Sequence, residues 1–516
     1  MKLSELIAGV PIRAVSGDRE AAITGLGYDS RKVQPGDLFF STARSDEQAR
    51  ANVEDALKRG ARAAVVRGWG EGIARPALTL IECERPRLLM GVAASRFYAT
   101  PSRRVDLIGV TGTSGKTTTT YLLSSIFAAA GVPCGIIGTI GIFANGQKLY
   151  SGLTTPEAID FEAALSSMEK VGVRAAAGEI SSIGLEEGRV GELHFRACVF
   201  TNLGRDHLDY HGTTENYFAA KLRLFTELLP KSAAAEPVAI VNGDDPYGQR
   251  VLAAVSGRKL SFGLSQGLDV YAESWSAGID GIRASVRAVG QSFEIRSPLM
   301  GEINLRNILG ACAVSVAMGI PADAVVEGVR RCPGAPGRLE AVAGPVGVKV
   351  LVDYAHKPDA LEAVLNALRA LGPRRLICVF GCGGDRDRGK RPIMGDIAGR
   401  LAGLAILTSD NPRTEDPLAI IAEVESGLEA SGAARLAETA AHADSGYLVE
   451  PDRRAAIGLA LRIAQAGDIV VIAGKGHEDY QLVGSRRLDF DDRVVVRELS
   501  EELIQSNQRA ERAPAD

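Results

Sequence analysis

Short apolar runs that end in polar or glycine-rich residues recur along most of the chain. In the middle third they are "VDLIGVTGTSGKTTTT", "VRAAAGEISS", "ACVFTNLGRD" and "VAIVNGDDP". In the last third they are "VKVLVDYAHKP", "RLICVFGCGGDRDRGKRP", "LAILTSDNPRTEDP" and "GDIVVIAGKGHEDY". Buried strands that alternate with helical segments predict a parallel sheet, and ligands of such sheets bind at the carboxyl ends of the strands.

Breaks in this pattern divide the chain into three predicted domains. The first, residues 1–103, mixes short strands and helices, as in "ALKRGARAAVVRG", which predicts a helix, a glycine stop and a buried strand. We expect "ATPSRR" to be a linker, and the Gly/Pro-rich "CPGAPGRLEAVAGPVG" to end the second domain near residue 335. The sequence therefore predicts an α/β protein with domains at 1–103, 104–335 and 336–500, and a disordered tail at 501–516.

The composition excludes several classes of protein. The 516 residues are 46% hydrophobic and 24% charged with a formal net charge of −4, which gives no electrostatic reason to expect a nucleic-acid or anionic-membrane partner. The seven cysteines form neither a disulfide framework nor a zinc-binding pattern, so we expect reduced thiols. Because no signal peptide or membrane-spanning run is present, we expect a soluble cytoplasmic protein.

The stretch "GVTGTSGKTTTT", residues 109–120, combines a strand end, a glycine loop and a helix start. Backbone N–H groups of such a loop attract phosphate, Lys116 would neutralise the outer phosphates, and the Thr117 hydroxyl would bind Mg²⁺. Val110 stands where the standard pattern has glycine. The alternative is a helix N-cap with an exposed lysine, but the strand–loop–helix context favours a nucleotide site.

A lysine lies on the apolar face of a predicted helix. In "TENYFAAKLRLFTELL", Tyr217, Lys221 and Phe225 share one helical stripe with Phe218 and Leu222. One hypothesis is that the Lys221 ammonium snorkels to water. The other is a desolvated lysine with a lowered pKa, whose neutral amine reacts with carbon dioxide to give a carbamate, an oxygen ligand for Mg²⁺. The pattern alone favours snorkelling.

The order of the motifs resembles the Mur ligase family. The matching stretches are "GVTGTSGKTTT", "TTPE", "GEISS", "TNLGRDHLDYHG", "YFAAKLRLF", "NGDDPYG", "GRLE", "DYAHKPDAL", "GCGGDRDRGKRP", "DNPRTEDP" and "GKGHEDYQ", which span roughly residues 25–485. The resemblance implies an N-terminal UDP-MurNAc-binding domain, a central ATPase domain and a C-terminal Rossmann-like domain for the incoming amino acid. It implies a ligase of peptidoglycan synthesis in which a substrate carboxylate attacks the γ-phosphate of ATP, and an amine then displaces phosphate from the acyl phosphate.

The resemblance also assigns residues around ATP. The phosphates would be held by Gly112, Thr113, Ser114, Gly115, Lys116, Thr117 and Thr118. Thr117 and Glu179 would bind one Mg²⁺, and Glu179, His207 and carbamylated Lys221 a second, which reverses the preference for a snorkelling lysine. Asp353 and His356 would reach ATP from the C-terminal domain. The alternatives are a solvated strand-end carboxylate for Glu179, a loop histidine for His207, and an ordinary strand-end turn for "DYAH".

On the UDP side the resemblance is less complete. The matching positions are Ser30, Arg31, Thr154, Thr155, Ser181 and Arg189. Ile183, Leu153 and Glu187 replace a usual histidine, asparagine and glutamine, and the stretch at 41–56 lacks the usual uridine-binding pattern. These departures concern the nucleotide sugar and leave the ATP and amino-acid motifs intact.

The motif "DNPR" predicts which amino acid is added. Arginine offers a planar pair of N–H donors to a carboxylate, which meso-diaminopimelate has on its distal carbon and L-lysine lacks. The resemblance therefore implies a diaminopimelate site at Arg386, Asp410, Asn411, Pro412, Arg413, Gly474 and Glu478. Arg388 and Arg391 are rivals of Arg386, and the alternative for Arg413 is an exposed turn residue.

Three other functions remain open at this point. A lysine-adding ligase would differ in the "DNPR" loop, and a folylpolyglutamate or cyanophycin synthetase would share the phosphate loop without "DNPR" and "GKGHE" together. A nucleotide-binding paralogue without catalysis is a third, motivated by the UDP-side substitutions. Retention of Lys116, Glu179, His207 and Lys221 argues against it, because binding alone does not require that set. We expect a monomer that uses small-molecule substrates.

Overall fold

Buried strands alternate with helices along the chain, as the apolar runs predict, and they assemble into mostly parallel sheets. The computed structural model describes residues 1–512 except 71–72, 74–75, 151 and 438–442. One unit comprises Met1–Ser274, Ala284–Ile295 and Arg306–Arg330, and the other comprises Trp275–Arg283, Arg296–Leu305 and Arg331–Asp516. Among the described residues, no helix has the length and apolar character needed to cross a membrane.

The N-terminal part of the first unit is a small sheet with helices packed on it. Its elements are α1 (Leu3–Ile7), β1 (Ala14–Ser16), β2 (Gly25–Gly27), β3 (Asp37–Phe40), α2 (Asp46–Lys58), β4 (Ala63–Val66), β5 (Thr79–Glu82) and α3 (Pro86–Phe97). The strand order is β1-β5-β4-β3-β2, and only β1 is antiparallel to its neighbour. The predicted linker is a 3₁₀ turn, Pro101–Arg103.

The central part of the first unit places its loops at one edge of a larger sheet. Its elements are β6 (Asp106–Thr111), α4 (Lys116–Ala129), β7 (Cys134–Gly138), β8 (Gly141–Ala144), β9 (Gln147–Tyr150), α5 (Ala158–Lys170), β10 (Ala175–Glu179), α6 (Ser182–Glu186), β11 (Phe195–Phe200), α7 (Leu208–His211), α8 (Thr214–Arg223), β12 (Val238–Asn242), α9 (Pro246–Ala254) and β13 (Lys259–Gly263). Strands β7, β10, β6, β11, β12 and β13 run parallel in that order, so their carboxyl ends share one edge. A meander and two helices follow: β14 (Val270–Gly278), β15 (Gly281–Ala288), β16 (Gln291–Ser297), α10 (Gly301–Ala317) and α11 (Ala322–Arg331).

The second unit contains another sheet, of Rossmann-like build. Its elements are β17 (Glu340–Val342), β18 (Lys349–Asp353), α12 (Pro358–Arg369), β19 (Leu376–Phe380), α13 (Lys390–Leu401), β20 (Leu404–Leu407), α14 (Pro417–Ala430), β21 (Gly446–Val449), α15 (Arg453–Ile463), β22 (Ile469–Ala473), β23 (Tyr480–Val483), β24 (Arg486–Asp489) and α16 (Asp492–Arg512). The order β17-β18-β22-β19-β20-β21 is parallel apart from β17. The loops after β18, β20 and β22 therefore leave one edge of the sheet.

The C-terminal end departs from the sequence prediction. Helix α16 continues through residues 501–512, where we expected a disordered tail; residues 513–516 lie outside the described residues. The reason is apolar periodicity, since Leu499 and Leu503 pack against the core of the second unit. The predicted α/β class is confirmed, whereas the domain boundaries at 103 and 335 stay predictions.

Candidate active site

The predicted phosphate loop joins the carboxyl end of β6 to the start of α4. Two of its glycines have positive φ, +150° for Gly112 and +85° for Gly115. A Cβ at Gly112 would lie 1.9 Å from Thr201 Oγ1, and a Cβ at Gly115 would lie 2.3 Å from Asn307 Oδ1. Glycine is therefore required at both positions for backbone conformation and for space.

The loop after β11 braces this phosphate loop. Asn202 accepts hydrogen bonds from Thr113 N at its carbonyl oxygen and from Ser114 N at its Oδ1, both at 3.0 Å. The Thr201 hydroxyl donates to Ser114 O at 2.7 Å. The "TN" of "TNLGRD" thus fixes the shape of the loop, a role that sequence reasoning did not assign to it.

Two lysines converge on one carbonyl of the loop. Lys116 Nζ donates to Gly112 O at 2.8 Å and to Thr113 O at 2.9 Å. Lys221 Nζ donates to the same Gly112 O at 2.9 Å. The predicted catalytic lysines, from different helices, are therefore neighbours at the start of the phosphate loop.

Lys221 is buried, so the snorkelling hypothesis was wrong. Its residue exposure is 1%, and its Nζ lies 4.6 Å from the centroid of the Tyr217 ring. Burial lowers the pKa of Lys221 well below its ordinary value, and the nearby Lys116 charge lowers it further. Burial therefore favours the neutral amine, which is the nucleophilic form of a lysine.

Glu179 ends β10 and lies beside the strand that leads into the phosphate loop. It pairs with Val110 of β6, so both reach the same sheet edge. Its carboxylate is 1% exposed and accepts hydrogen bonds from Thr139 N at 2.9 Å and Thr139 Oγ1 at 3.1 Å. A Cβ at Gly138 would lie 2.2 Å from Glu179 Oε1, so the glycine makes room for this carboxylate.

His207 is the last of the four predicted catalytic residues, and it lies close to Tyr217, which also contacts Lys221. It adopts a left-handed conformation with φ of +53° at the start of α7. Its ring centroid lies 6.1 Å from that of Tyr217, whose hydroxyl is 3.1 Å from Thr113 Oγ1. Tyr217 therefore contacts His207, Lys221 and the phosphate loop together.

The side chains at the carboxyl edge of the larger sheet include oxygen ligands of the kind that bind Mg²⁺ together with a substrate phosphate. The described residues contain no group of three or more His, Cys, Asp or Glu side chains able to hold a metal ion alone. Mg²⁺ is usually bound through one or two carboxylates together with substrate phosphates. Such a shared site would suit the buried residues Thr117, through its hydroxyl, and Glu179, through its carboxylate. Lys221, which is also buried, would contribute only if its amine carried an anionic group.

The residues predicted to meet the UDP substrate lie in two places. Thr155 Oγ1 donates to Glu179 O at 2.8 Å and accepts from Ser181 N at 2.8 Å, while Thr154 Oγ1 is 3.0 Å from Thr139 Oγ1. These side chains adjoin Glu179. Ser30 and Arg31 lie in a 3₁₀ turn, Ser30–Lys32, with Arg31 paired to Asp29 at 2.8 Å.

Arg189 is paired within the protein. Its Nε lies 3.2 Å from Glu157 Oε1, its Nη1 donates to Thr155 O at 3.0 Å, and its Nη2 pairs with Glu187. Glu187 is one of the substitutions noted in the sequence, and it supplies a carboxylate to this arginine. Arg87 contacts both carboxylates as well, at 2.5 Å from Glu157 and 3.3 Å from Glu187.

In the second unit, the loop after β18 carries Asp353 and His356. The Asp353 carboxylate is 5% exposed and accepts from Leu339 N at 2.7 Å and Ala355 N at 2.8 Å. Burial raises the pKa of Asp353 and lowers that of His356, so burial favours the neutral form of each group. Lys390 Nζ donates to His356 O at 2.7 Å.

The "DNPR" loop follows β20, as predicted. Arg413 has φ of +54°, and its backbone N donates to Leu482 O at 3.0 Å. Its Nη1 donates to Gly384 O at 2.7 Å and Asn411 O at 3.4 Å. In the described part of the chain, the Arg413 side chain hydrogen-bonds to carbonyls and pairs with no carboxylate.

The structure separates Arg386 from its two rivals. Arg391 is fully buried and paired with Glu415 at 2.8 Å and Glu423 at 2.7 Å. Arg388 also pairs with Glu423. The Arg386 side chain is exposed and donates to the neighbouring Asp385 O at 3.3 Å. Arg386 therefore stays the candidate for the second carboxylate, while Arg391 fixes the loop that carries it.

Buried charges surround the other predicted amino-acid ligands. Asn411 Nδ2 donates to Glu478 Oε2 at 3.0 Å, and Lys475 Nζ donates to Asn411 Oδ1 at 3.3 Å. Lys475 lies 3.4 Å from Glu478 Oε2 and 3.7 Å from Asp410 Oδ1. The "GKGHE" pattern assigns no role to Lys475, because no sequence signal shows its burial; its contacts with Asn411, Glu478 and Asp410 make it part of the site.

The comparisons with known proteins decide the family. Residues 110–315 match the model described as Mur ligase middle domain, and residues 337–476 match Mur ligase, glutamate ligase domain. A UDP-N-acetylmuramoyl-L-alanyl-D-glutamate--2,6-diaminopimelate ligase of Geobacter metallireducens is 41% identical over 98% of this chain and 100% of its own length. The chain belongs to the Mur ligase family.

Other relatives give the same picture of this Mur ligase. The Geobacter sulfurreducens protein of the same name is 42% identical over 96% of this chain and 97% of its own length. A solved structure titled as a diaminopimelate ligase of this kind covers 98% of this chain and 99% of its own, with 34% identity and a TM-score of 0.67. A folylpolyglutamate synthase of Mycobacterium tuberculosis, 18% identical with a TM-score of 0.59 over 75% of this chain and 92% of its own, shares the fold.

Proposed function

We propose that this Mur ligase adds meso-diaminopimelate to UDP-MurNAc-L-Ala-D-Glu at the expense of ATP, in the cytoplasmic part of peptidoglycan synthesis. The names of full-length relatives at about 41% identity support this proposal. The observation that carries it is Arg413, whose guanidinium lies at the carboxyl edge of β20 with no carboxylate partner among the described residues. A distal carboxylate on the substrate supplies that partner.

In the proposed reaction the first unit transfers a phosphoryl group. The substrate's carboxylate attacks the γ-phosphate of ATP, the bond to the β–γ bridging oxygen breaks, and ADP leaves. Lys116 neutralises charge on the outer phosphates, and backbone N–H groups of the Gly112–Thr118 loop hold them in place. Mg²⁺, when bound, would offset the repulsion between the carboxylate and phosphate anions. Glu179, Thr117 and His207 would hold it.

The second half of the reaction makes the amide. The amine of diaminopimelate attacks the acyl carbon of the acyl phosphate, a tetrahedral intermediate forms, and phosphate departs as the C–N bond is retained. The protein contributes mainly by holding the two reactants in place. Asp353 and His356 are proposed to contact ATP, and Ser30, Thr154, Thr155, Ser181 and Arg189 the UDP substrate.

Lys221 is proposed to act as a carbamate. Its neutral amine forms a bond to the carbon of CO₂ and releases a proton, so that an anionic oxygen pair replaces a buried base. Two features support this: the amine is 1% exposed with a lowered pKa, and it lies at the phosphate loop, where a metal ligand is needed. The carbamate would also place a negative charge near the Lys116 ammonium, which donates to the same Gly112 carbonyl.

The test is phosphate release by the purified protein with UDP-MurNAc-dipeptide, ATP and a panel of amino acids. We expect meso-diaminopimelate to be preferred over L-lysine by on the order of 10³ in kcat/KM, because lysine leaves the arginine charge unpaired. Arg413→Ala should lose this preference, and Arg388→Ala, which removes an exposed arginine paired with Glu423, should keep it. Equal use of both amino acids by the wild type would refute the assignment.

A further inference from the structure

We propose that Lys475 is a positioning residue of the amino-acid site. It holds Asp410, Asn411 and Glu478 in place and leaves this cluster with one negative charge in excess, matched to one substrate ammonium. The inference rests on the proposed function and extends it to a residue that does not itself touch the substrate.

The geometry shows how Lys475 organises the cluster. The lysine is fully buried, and its Nζ lies within 3.3 Å of Asn411 Oδ1, 3.4 Å of Glu478 Oε2 and 3.7 Å of Asp410 Oδ1. Asn411 Oδ1 also accepts from Leu482 N at 2.9 Å. A single ammonium therefore links the loop after β20 to the loop after β22.

The backbone makes room for this arrangement. Gly474 has φ of +120°, and a Cβ there would lie 3.1 Å from Asp410 Oδ2. A side chain at this position would press on the carboxylate and adopt a strained conformation. Gly474 thus lets the "GKGHE" backbone approach the "DNPR" loop closely enough for Lys475 to reach it.

The net charge of the cluster around Lys475 explains why a substrate ammonium would bind there. Asp410 and Glu478 supply two negative charges, and Lys475 supplies one positive charge. Arg453, whose Nη2 donates to Ala473 O at 3.0 Å, pairs with Asp492 at 2.8 Å and adds no excess charge. At neutral pH the cluster lacks one positive charge, which the distal ammonium of diaminopimelate provides.

Lys475 also opposes protonation of Glu478. Burial raises the pKa of the Glu478 carboxyl; Asp410 raises it further, whereas Lys475 and Asn411 lower it. The other ionisable groups facing it are Tyr354, Tyr480 and Arg453. Without the Lys475 charge this pKa rises, so the carboxylate is lost at a higher pH as the solution is acidified.

The experiment compares steady-state kinetics of three variants with the wild type. Lys475→Met removes the ammonium and keeps an unbranched side chain. Arg487→Met is the matched control, because Arg487 lies 4.2 Å from the Tyr480 ring centroid on an exposed side chain, whereas Lys475 lies 5.5 Å from it. Lys475→Met/Asp410→Asn removes one charge of each sign and restores the excess of one.

We expect Lys475→Met to raise KM for meso-diaminopimelate about tenfold and to move the acid limb of kcat/KM up by about one pH unit. KM for ATP should change less than about twofold. In chemical denaturation the double variant should regain part of the stability lost in Lys475→Met, because the excess of one negative charge is restored. Arg487→Met should match the wild type in KM and in the acid limb.

Each outcome bears on the proposal. A folded Lys475→Met with unchanged KM and acid limb overturns it, as does a double variant that is less stable than Lys475→Met. If Lys475→Met does not fold, the charge count still requires the double variant to fold, and its failure to fold overturns the proposal. A wild type that does not use meso-diaminopimelate refutes instead the proposed function.

Discussion

Two lysines of this protein are buried to a similar degree but in opposite electrostatic surroundings. Lys221 in the first unit is 1% exposed and donates to the Gly112 carbonyl at 2.9 Å, with Lys116 nearby. Lys475 in the second unit is 0% exposed and lies within 4 Å of two carboxylates, Asp410 and Glu478. Burial is thus the same, and the partners differ.

The partners decide what each lysine can do. Desolvation disfavours the charged form of a lysine, and only a close negative charge offsets it. At Lys221, burial and the Lys116 charge outweigh the opposing effect of Asp206 and lower the pKa, which favours the neutral amine that reacts with CO₂. Lys475 has close negative charges and serves as a fixed cation. We therefore expect one side-chain type to supply a nucleophile in one unit and a structural charge in the other.

The largest expected effect is on turnover in Lys221→Ala. Loss of the proposed carbamate would remove a proposed metal ligand beside the transferring phosphoryl group, so we expect phosphate release to fall by roughly 10³-fold. Added formate or acetate should restore part of the rate by replacing the lost oxygens. Full activity of Lys221→Ala without such additions would exclude a role for this amine.

The second prediction compares the stability of Lys475→Met and Lys221→Met. Removing Lys475 leaves the buried Asp410 and the partly buried Glu478 without their cation, so we expect a loss of about 3–5 kcal/mol in the free energy of unfolding. Removing the neutral amine of Lys221 should change it by no more than about 1 kcal/mol. Chemical denaturation measures both, and equal losses would contradict the difference in charge state.

The third prediction concerns Lys116, a partly buried lysine that donates to the same Gly112 carbonyl as Lys221. Lys116→Ala should reduce phosphate release by roughly 10²-fold at saturating ATP, because the lysine compensates charge that grows during transfer. The circular-dichroism spectrum should stay that of the wild type. An unchanged rate would show that this loop is not the one that acts on ATP.

The last prediction tests the same rule on a buried acid, whose effect is gradual with pH. Glu162 is 2% exposed, and burial raises its pKa from the ordinary value of 4.5 to about 8. Because the folded state binds this proton more tightly, the stability it contributes is full below about pH 4.5 and is lost as the pH rises toward about 8. Relative to Glu162→Gln, the wild type should lose up to about 1 kcal/mol per pH unit over this range. A pH-independent difference between the two proteins would contradict the assignment.

The sequence predicted the elements well because their signals are local. The strand–glycine–helix pattern around Gly112–Thr118 became β6, the loop and α4, and "LAILTS" became β20 followed by the Arg413 loop. Family resemblance added Glu179 and His207, which share an edge of the first unit with the loop. These residues follow strands or begin helices, where short-range sequence is informative.

What the sequence could not give is depth and long-range pairing. An apolar stripe is compatible with a lysine at the rim or in the core, so the pattern alone favoured the wrong hypothesis for Lys221. Arg391 appeared equivalent to Arg386 because its partners, Glu415 and Glu423, lie 24 and 32 residues away. Lys475 is linked in the same way to Asp410, on a different strand-end loop.

The most direct test of the comparison is ¹³C NMR of the protein equilibrated with ¹³C-bicarbonate. A carbamate carbon should appear in the wild type, persist in Lys475→Met and disappear in Lys221→Met, because burial lowers the pKa of Lys221, whereas Lys475 lies within 4 Å of two carboxylates. A carbamate signal that survives Lys221→Met, or its absence from the wild type at saturating bicarbonate, would contradict the account.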